Sequence, residues 1–221
     1  MTFQRARSEE QREVRRKAIM DTAAAMLDEM PVAEVSLNEL SRRVGLAKSN
    51  VLRYFESREA VLLDLLDYFL GNWLAELRDE LAAGIDPRLP AAERADQLAE
   101  VLSRSLAART VLCDLFGAQG GVLEHNVSTE VVIRHKRAAL DSLGTLVQLV
   151  HHHLPELGDN AKNVCLLTMI MAGALSGYCP PPASVLAVYE AEPALAELSV
   201  DLRESLKLAI TTAIMGALPR T

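Results

Sequence analysis

Residues 36–62 read SLNELSRRVGLAKSNVLRYFESREAVL, and the fold depends on where this stretch lets the backbone coil and where it forces a turn. Ser36 followed by Glu39 is a capping box: hydroxyl and carboxylate each satisfy an orphaned backbone N–H at a helix start. Leu37, Leu40 and Val44 follow at helical spacing as an apolar stripe. Gly45 interrupts it, at a position where a left-handed backbone suits glycine best. After a three-residue turn, a second short helix begins near Lys48 and carries Val51, Leu52 and Phe55 inward. Ser57 then caps a long helix through Val61, Leu62, Leu65, Leu66, Phe69 and Leu70 toward Leu81.

Working outward, Ile19, Ala23, Met26 and Leu27 recur at spacings of three and four. They predict an amphipathic helix from about Glu9 to Met30, stopped at Pro31. On the other side, Asp86-Pro87 and Leu89-Pro90 mark a loop before a helix over 91–108. Further helices are predicted over 110–118, 128–153, 160–178, where Pro180-Pro181-Pro182 follows, and 200–218. No period-two alternation is long enough for a sheet, and there is no internal repeat. The expectation is an all-α chain of about nine to ten helices: an N-terminal three-helix domain over 1–56 and a larger helical domain over 57–221.

Composition narrows the functional classes. The chain has 221 residues, 50% hydrophobic and 24% charged, the balance of a globular protein rather than a disordered one. No uninterrupted apolar run reaches the length of a membrane span and the N-terminus carries no signal-peptide core, so the expected location is cytoplasmic. Cys113, Cys165 and Cys179 lack metal-ligand or disulfide spacing and read as small apolar residues. The net charge of -7 is unevenly spread: residues 1–60 hold 11 Lys and Arg against 10 Asp and Glu, leaving 12 against 20 for the remainder. The cations of the first part fall in two patches, Arg5 to Lys17 and Arg42 to Arg58. Local patches decide phosphate attraction, because charges more than about 10 Å apart are screened at ordinary ionic strength.

Two short helices joined by a tight glycine-containing turn describe a helix-turn-helix, whose second helix enters the DNA major groove while the first braces it. Residues 36–62 resemble the N-terminal signature of the TetR-family transcriptional regulators, matching at Ser36, Leu40, Gly45, Leu46, Lys48, Tyr54, Phe55, Ser57, Arg58 and Glu59. The resemblance covers about a quarter of the chain. It implies a DNA-binding head, a helical regulatory body and a homodimer that a small-molecule effector releases from a palindromic operator, in other words a repressor. Three positions depart from the pattern. Ala47 replaces the usual Ser or Thr cap, worth about 1 kcal/mol; Asn50 stands where Thr is common; Leu52 stands where the family has a backbone-contacting Tyr.

By family position Ser36 and Arg58 meet phosphates, while Lys48, Ser49, Asn50 and Arg53 face the groove, Asn suiting adenine and Arg or Lys guanine. Tyr54 divides evenly between a phosphate contact and a cover over the core. Arg42, Arg43 and the N-terminal arginines are flanking-phosphate candidates. Small residues suggest the dimer seam: Ala172, Gly173, Ser176 and Gly177 on one helix, Ala209, Ala213 and Gly216 on the last, though ordinary intrachain packing fits them too. Effector-pocket candidates on helices that the family wraps around its ligand are Phe69, Trp73, Leu112 and Phe116, with Gln119, His135, Met169 and Tyr178; each also suits plain core. With 4% aromatics, an aliphatic or mixed effector fits better than a large planar one.

No phosphate-loop, dinucleotide, zinc-protease or nucleophile-elbow motif is present, so no enzyme, cofactor or metal is expected. His151-His152-His153 reads as the end of a helix, where histidine also complements the dipole. A helical adaptor that binds protein is the remaining alternative to a regulator with double-stranded DNA and a small molecule as partners.

Overall fold

The computed structural model describes residues 2–219, with side chains from residue 10 onward, so Arg5 and Arg7 lie outside the described side chains. Among the described residues there are ten α-helices and no strand. The chain divides into two compact units, residues 1–69 with 118–138, and residues 70–117 with 139–221.

The first unit contains α1 (Thr2–Leu27), a 3-10 turn (Val32–Glu34), α2 (Leu37–Val44), α3 (Lys48–Val51) and the start of α4 (Arg58–Gly84). It also holds a π-helical turn, Gln119–Leu123, and the start of α7 (Thr129–His153). α1 ends at Leu27, where Glu29 and Met30 donate back to the Met26 carbonyl in a closing turn. Its stripe of Ile19, Ala23 and Met26 is fully buried, together with Leu40, Val51, Phe55, Leu62 and Leu66. Ser36 caps α2 by accepting from the Glu39 N–H at 3.2 Å, half of the expected capping box. The Glu39 carboxylate turns instead to Arg42 and Arg43, which hold its pKa down at about 2.

The second unit contains α5 (Ala91–Ala107), α6 (Thr110–Ala118), α8 (Ala161–Ser176), α9 (Ala183–Ala191) and α10 (Leu202–Ala217), with the remainders of α4 and α7. Asp201 caps α10 by accepting from the Glu204 N–H at 2.8 Å. α10 packs on α5 and α8, burying Leu206, Ile210 and Ile214, and Arg203 and Lys207 pair with Glu100 of α5 at 2.5 and 2.8 Å. Cys113 and Cys165 are buried, and burial pushes both thiols up to about 12, which leaves them protonated and inert. α9 is absent from the sequence expectation. It follows the three prolines directly and buries no side chain, so no inward stripe announces it.

α6 and α8 meet at backbone distance. A Cβ on Gly173 would stand 2.6 Å from the Gly117 nitrogen, and one on Gly117 would stand 2.7 Å from the Gly173 carbonyl oxygen. Gly144, by contrast, is an exposed α7 residue with nothing within 4 Å of its absent Cβ. Gly173→Ala should destabilise the protein by about 1–3 kcal/mol because backbone cannot step aside. Gly144→Ala should stabilise by roughly 0.5–1 kcal/mol through helix propensity. Urea midpoints moving in opposite directions would confirm the distinction, and equal shifts would refute it.

Candidate nucleic-acid interface

The turn between α2 and α3 is built by one residue. Gly45 takes φ 70° and ψ 30°; its N–H donates to the Arg42 carbonyl, while Leu46 donates to Ser41 at 3.0 Å. This pair of bonds is a Schellman stop, and it needs a left-handed residue at its centre. α3 then starts from Ala47 without a side-chain cap, as expected from the missing hydroxyl. Its first turn is held by Asn50 N–H to Ala47 O at 2.8 Å and Leu52 N–H to Lys48 O at 3.0 Å.

The faces of α3 are cleanly divided. Val51 and Phe55 are buried. Lys48, Ser49, Asn50 and Arg53 are exposed, and their side chains have no hydrogen-bond or ionic partner among the described residues. Leu52, which periodicity carried inward, is 42% exposed and lies with the outward set. A lone leucine here gains nothing from burial in the chain, so the inward assignment is corrected: the apolar positions of this helix are Val51 and Phe55. Exposed faces of α1 and the turn after α3 together form a groove walled by Arg12, Arg15, Arg53 and Tyr54, with Glu10 also in its lining. Tyr54 itself is half-buried.

Three of the expected phosphate-contacting arginines are engaged within the protein. Arg43 pairs with Glu29 at 2.7 Å and Glu39 at 2.8 Å. Arg58 donates to the Val35 and Ala33 carbonyls at 2.8 and 3.3 Å and to Glu59 at 3.1 Å, bracing the segment before α2. Arg16 turns inward: its guanidinium lies 4.3 Å over the Phe55 ring, donates to the Tyr54 carbonyl at 3.3 Å and forms an ion pair with Asp64. The signal was in the spacing, since Arg16 precedes Ile19 and Ala23 by three and seven residues and shares their stripe. Among the described residues Arg42 pairs only with Glu39 and stays largely exposed, and Ser36 is exposed beside the α2 N-terminus.

The residues anticipated for an effector fall in both units. In the first, the His135 ring is buried between Asp67, 2.7 Å from Nδ1, and Gln119, 3.0 Å from Nε2. A carboxylate only accepts, so Nδ1 carries the proton and Nε2 accepts from the Gln119 amide. Phe69 is half-buried beside Tyr68 in a tilted pair. In the second unit, Trp73 is buried and its indole N–H donates to Ser105 at 3.0 Å; Leu112 is buried, Phe116 and Met169 half-buried, and Tyr178 65% exposed. The small residues also divide. Ala172, Gly173 and Ser176 are buried in the chain's own packing, whereas Gly177 and Gly216 are exposed and Ala209 and Ala213 half-exposed. Beside the latter pair lies an apolar groove walled by Leu167, Met171 and Ile210.

Comparison with known proteins matches the family described as bacterial regulatory proteins, tetR family, over residues 19–65, and the tetracyclin repressor-like C-terminal domain over residues 68–221. The HTH-type transcriptional regulator EthR of Mycobacterium tuberculosis is 42% identical over 53 residues, 24% of each chain. The regulator BetI of Rhizobium meliloti is 29% identical over 92 residues, 42% of this chain and 43% of the relative. The matched stretch thus spans about a quarter of EthR and under half of BetI. Among solved structures, FadR of Thermus thermophilus, in complex with lauroyl-CoA, shares the fold at a TM-score of 0.56 and 20% identity, covering 93% of this chain and 96% of that one. FadR of Bacillus subtilis, in complex with stearoyl-CoA, does so at 0.53 and 12%, covering 90% and 98%. No helix among the described residues is long and apolar enough to cross a membrane. With a capped helix-turn-helix in the segment that matches the first family description and a helical body that matches the second, the chain belongs to the TetR family of bacterial regulatory proteins.

Proposed function

We propose that this chain is a cytoplasmic repressor that binds a palindromic operator as a homodimer and leaves it when a small molecule binds. The observation that carries the reading is the polar row on α3: Lys48, Ser49, Asn50 and Arg53 are presented outward without partners, on a helix anchored from behind by Val51 and Phe55. Side chains kept free of internal bonds are what base-edge readout requires. Residues 1–56 form the DNA-binding head of this reading and residues 57–221 its regulatory and dimerisation part. Arg42, Ser36 and the arginines of the α1 groove supply phosphate contacts; Arg43 and Arg58 serve mainly to hold the head together, since binding phosphate would cost each of them internal partners.

The dimer seam we propose runs along the outer faces of α8 and α10. Leu166, Leu167 and Ile170 are 44–51% exposed there, Leu208 is 71% exposed and Met215 50%. Ala209, Ala213 and Gly216 lie among them, where small side chains admit a second helix closely. A palindromic operator requires such a dimer to present two copies of α3 about 34 Å apart in successive major grooves. For the effector we favour an aliphatic chain with a polar end: aromatics make up only 4% of residues, so few rings are available to stack on a planar ligand. The acyl-CoA held by two FadR structures of the same fold is a ligand of that kind.

In gel shifts with the DNA upstream of its own gene, binding should be sequence-selective and weaken steeply with salt; Asn50→Ala and Arg53→Ala should each cost about 1–3 kcal/mol and relax base preference. Absence of selective binding at every salt concentration would favour the adaptor reading. Leu52→Tyr should tighten operator binding by about 0.5–1.5 kcal/mol by adding a hydroxyl at the phosphate backbone, with thermal stability unchanged; unaltered affinity would remove position 52 from the interface. Leu208→Glu should convert a dimer to a folded monomer in analytical ultracentrifugation, because it buries a charge only in the assembly; a persisting dimer would move the seam elsewhere.

A further inference from the structure

We propose that Arg16 is a positioning residue for the reading helix, and that Asp64, shared between Arg16 and Arg134, is where a shift of α7 reaches the DNA-facing surface. The inference rests on the DNA-reading role given to α3 above.

Arg16 lies under the C-terminal end of the reading segment rather than on its outer face. One guanidinium sits over the Phe55 ring, bonds the Tyr54 carbonyl and pairs with Asp64 of α4. The first two contacts hold the two residues that follow Arg53 and the third ties them to α4, and Arg53 faces the groove only if that turn keeps its course. A planar guanidinium can stack on a ring while donating in its own plane, which a lysine ammonium cannot do.

Asp64 is the limiting partner. Its carboxylate also accepts from Arg134 of α7 at 3.1 Å, and its side chain is only 13% exposed. Arg16 holds one carboxylate oxygen and Arg134 the other, so two cations share the charge of a single carboxylate; burial first and the Arg134 charge next lower the Arg16 pKa from its ordinary value. The start of α7 makes a second link to the same segment, because Glu56, immediately after Phe55, accepts from the Ser128 N–H that precedes the helix. Moving Arg134 toward Asp64 weakens the claim of Arg16 and loosens Tyr54 and Phe55. Drawing it away strengthens that claim. The local network thus has one input, the position of Arg134, that acts in either sense within the first compact unit.

The test uses full-length protein and two readouts, hydrogen exchange of the backbone amides of residues 51–55 and affinity for the upstream DNA over a salt series. Arg16→Gln and Asp64→Asn should raise exchange at 51–55 and weaken DNA binding roughly tenfold, from loss of charge-assisted bonds and the ring contact. Arg134→Gln, on a side chain 54% exposed, should act in the opposite direction, lowering exchange and tightening binding roughly two- to fivefold. Arg16→Lys should restore part of the loss. The salt slope of Arg16→Gln should match that of the wild type, because the residue touches no phosphate; a slope reduced by about one unit per site would make Arg16 a phosphate contact and overturn the proposal. Weakened binding in Arg134→Gln, or exchange that rises uniformly over the chain in Arg16→Gln, would equally overturn it. If the wild type binds no DNA selectively, the functional reading fails, while the opposite exchange shifts still decide whether the shared carboxylate controls the segment.

Discussion

The outward polar row of α3 depends on the left-handed turn at Gly45. Its φ of 70° is what lets Leu46 reach back to Ser41 and close α2, and only after that closure can α3 set out on a new axis with Val51 and Phe55 against the core. A side chain at this position would strain the backbone where the two helices are jointed. The four-residue α3 is too short to be stable by itself. It exists because its inner face is buried and because its end is gripped from below by Arg16, so the polar row outside is a by-product of how firmly the inside is held.

Much of this was legible in the sequence. Helices with a clear stripe, a capping residue or a proline boundary, such as α2, α6 and α10, were placed to within about two residues of their observed bounds. So were the turn at Gly45 and the outward set of Lys48, Ser49, Asn50 and Arg53. α9 was not legible, because a helix that buries nothing has no periodicity to read. Leu52 was carried inward with its apolar neighbours Val51 and Phe55, although a four-residue helix offers room for only one buried row. The capping box was half right: Glu39 had two arginines within one turn, and a charged partner outweighs a backbone amide.

The arginines show where sequence reasoning stops. Sequence counts cations and spaces them; it does not say which carboxylates they will meet. Arg43 and Arg58 look like phosphate ligands by position, yet the fold brings Glu29, Glu39, Glu59 and two backbone carbonyls to them. Arg16 is the exception that its spacing could have revealed. The small residues at 172, 173 and 176 likewise could serve either a partner or the chain itself, and their burial within the chain assigns them to the latter.

The opposed glycines of α6 and α8 carry a consequence for how such a protein can change over time. Each excludes a side chain from the other, so neither position can drift alone, and substituting both only enlarges the collision. The spacing of these helices can widen only if several neighbouring core residues grow together to fill the gap. A lineage that enlarges residues on α6 therefore works around a fixed crossing point at Gly117, with Leu112, Cys113 and Leu115 already enclosed by core and only the remaining positions of the helix free to take new side chains.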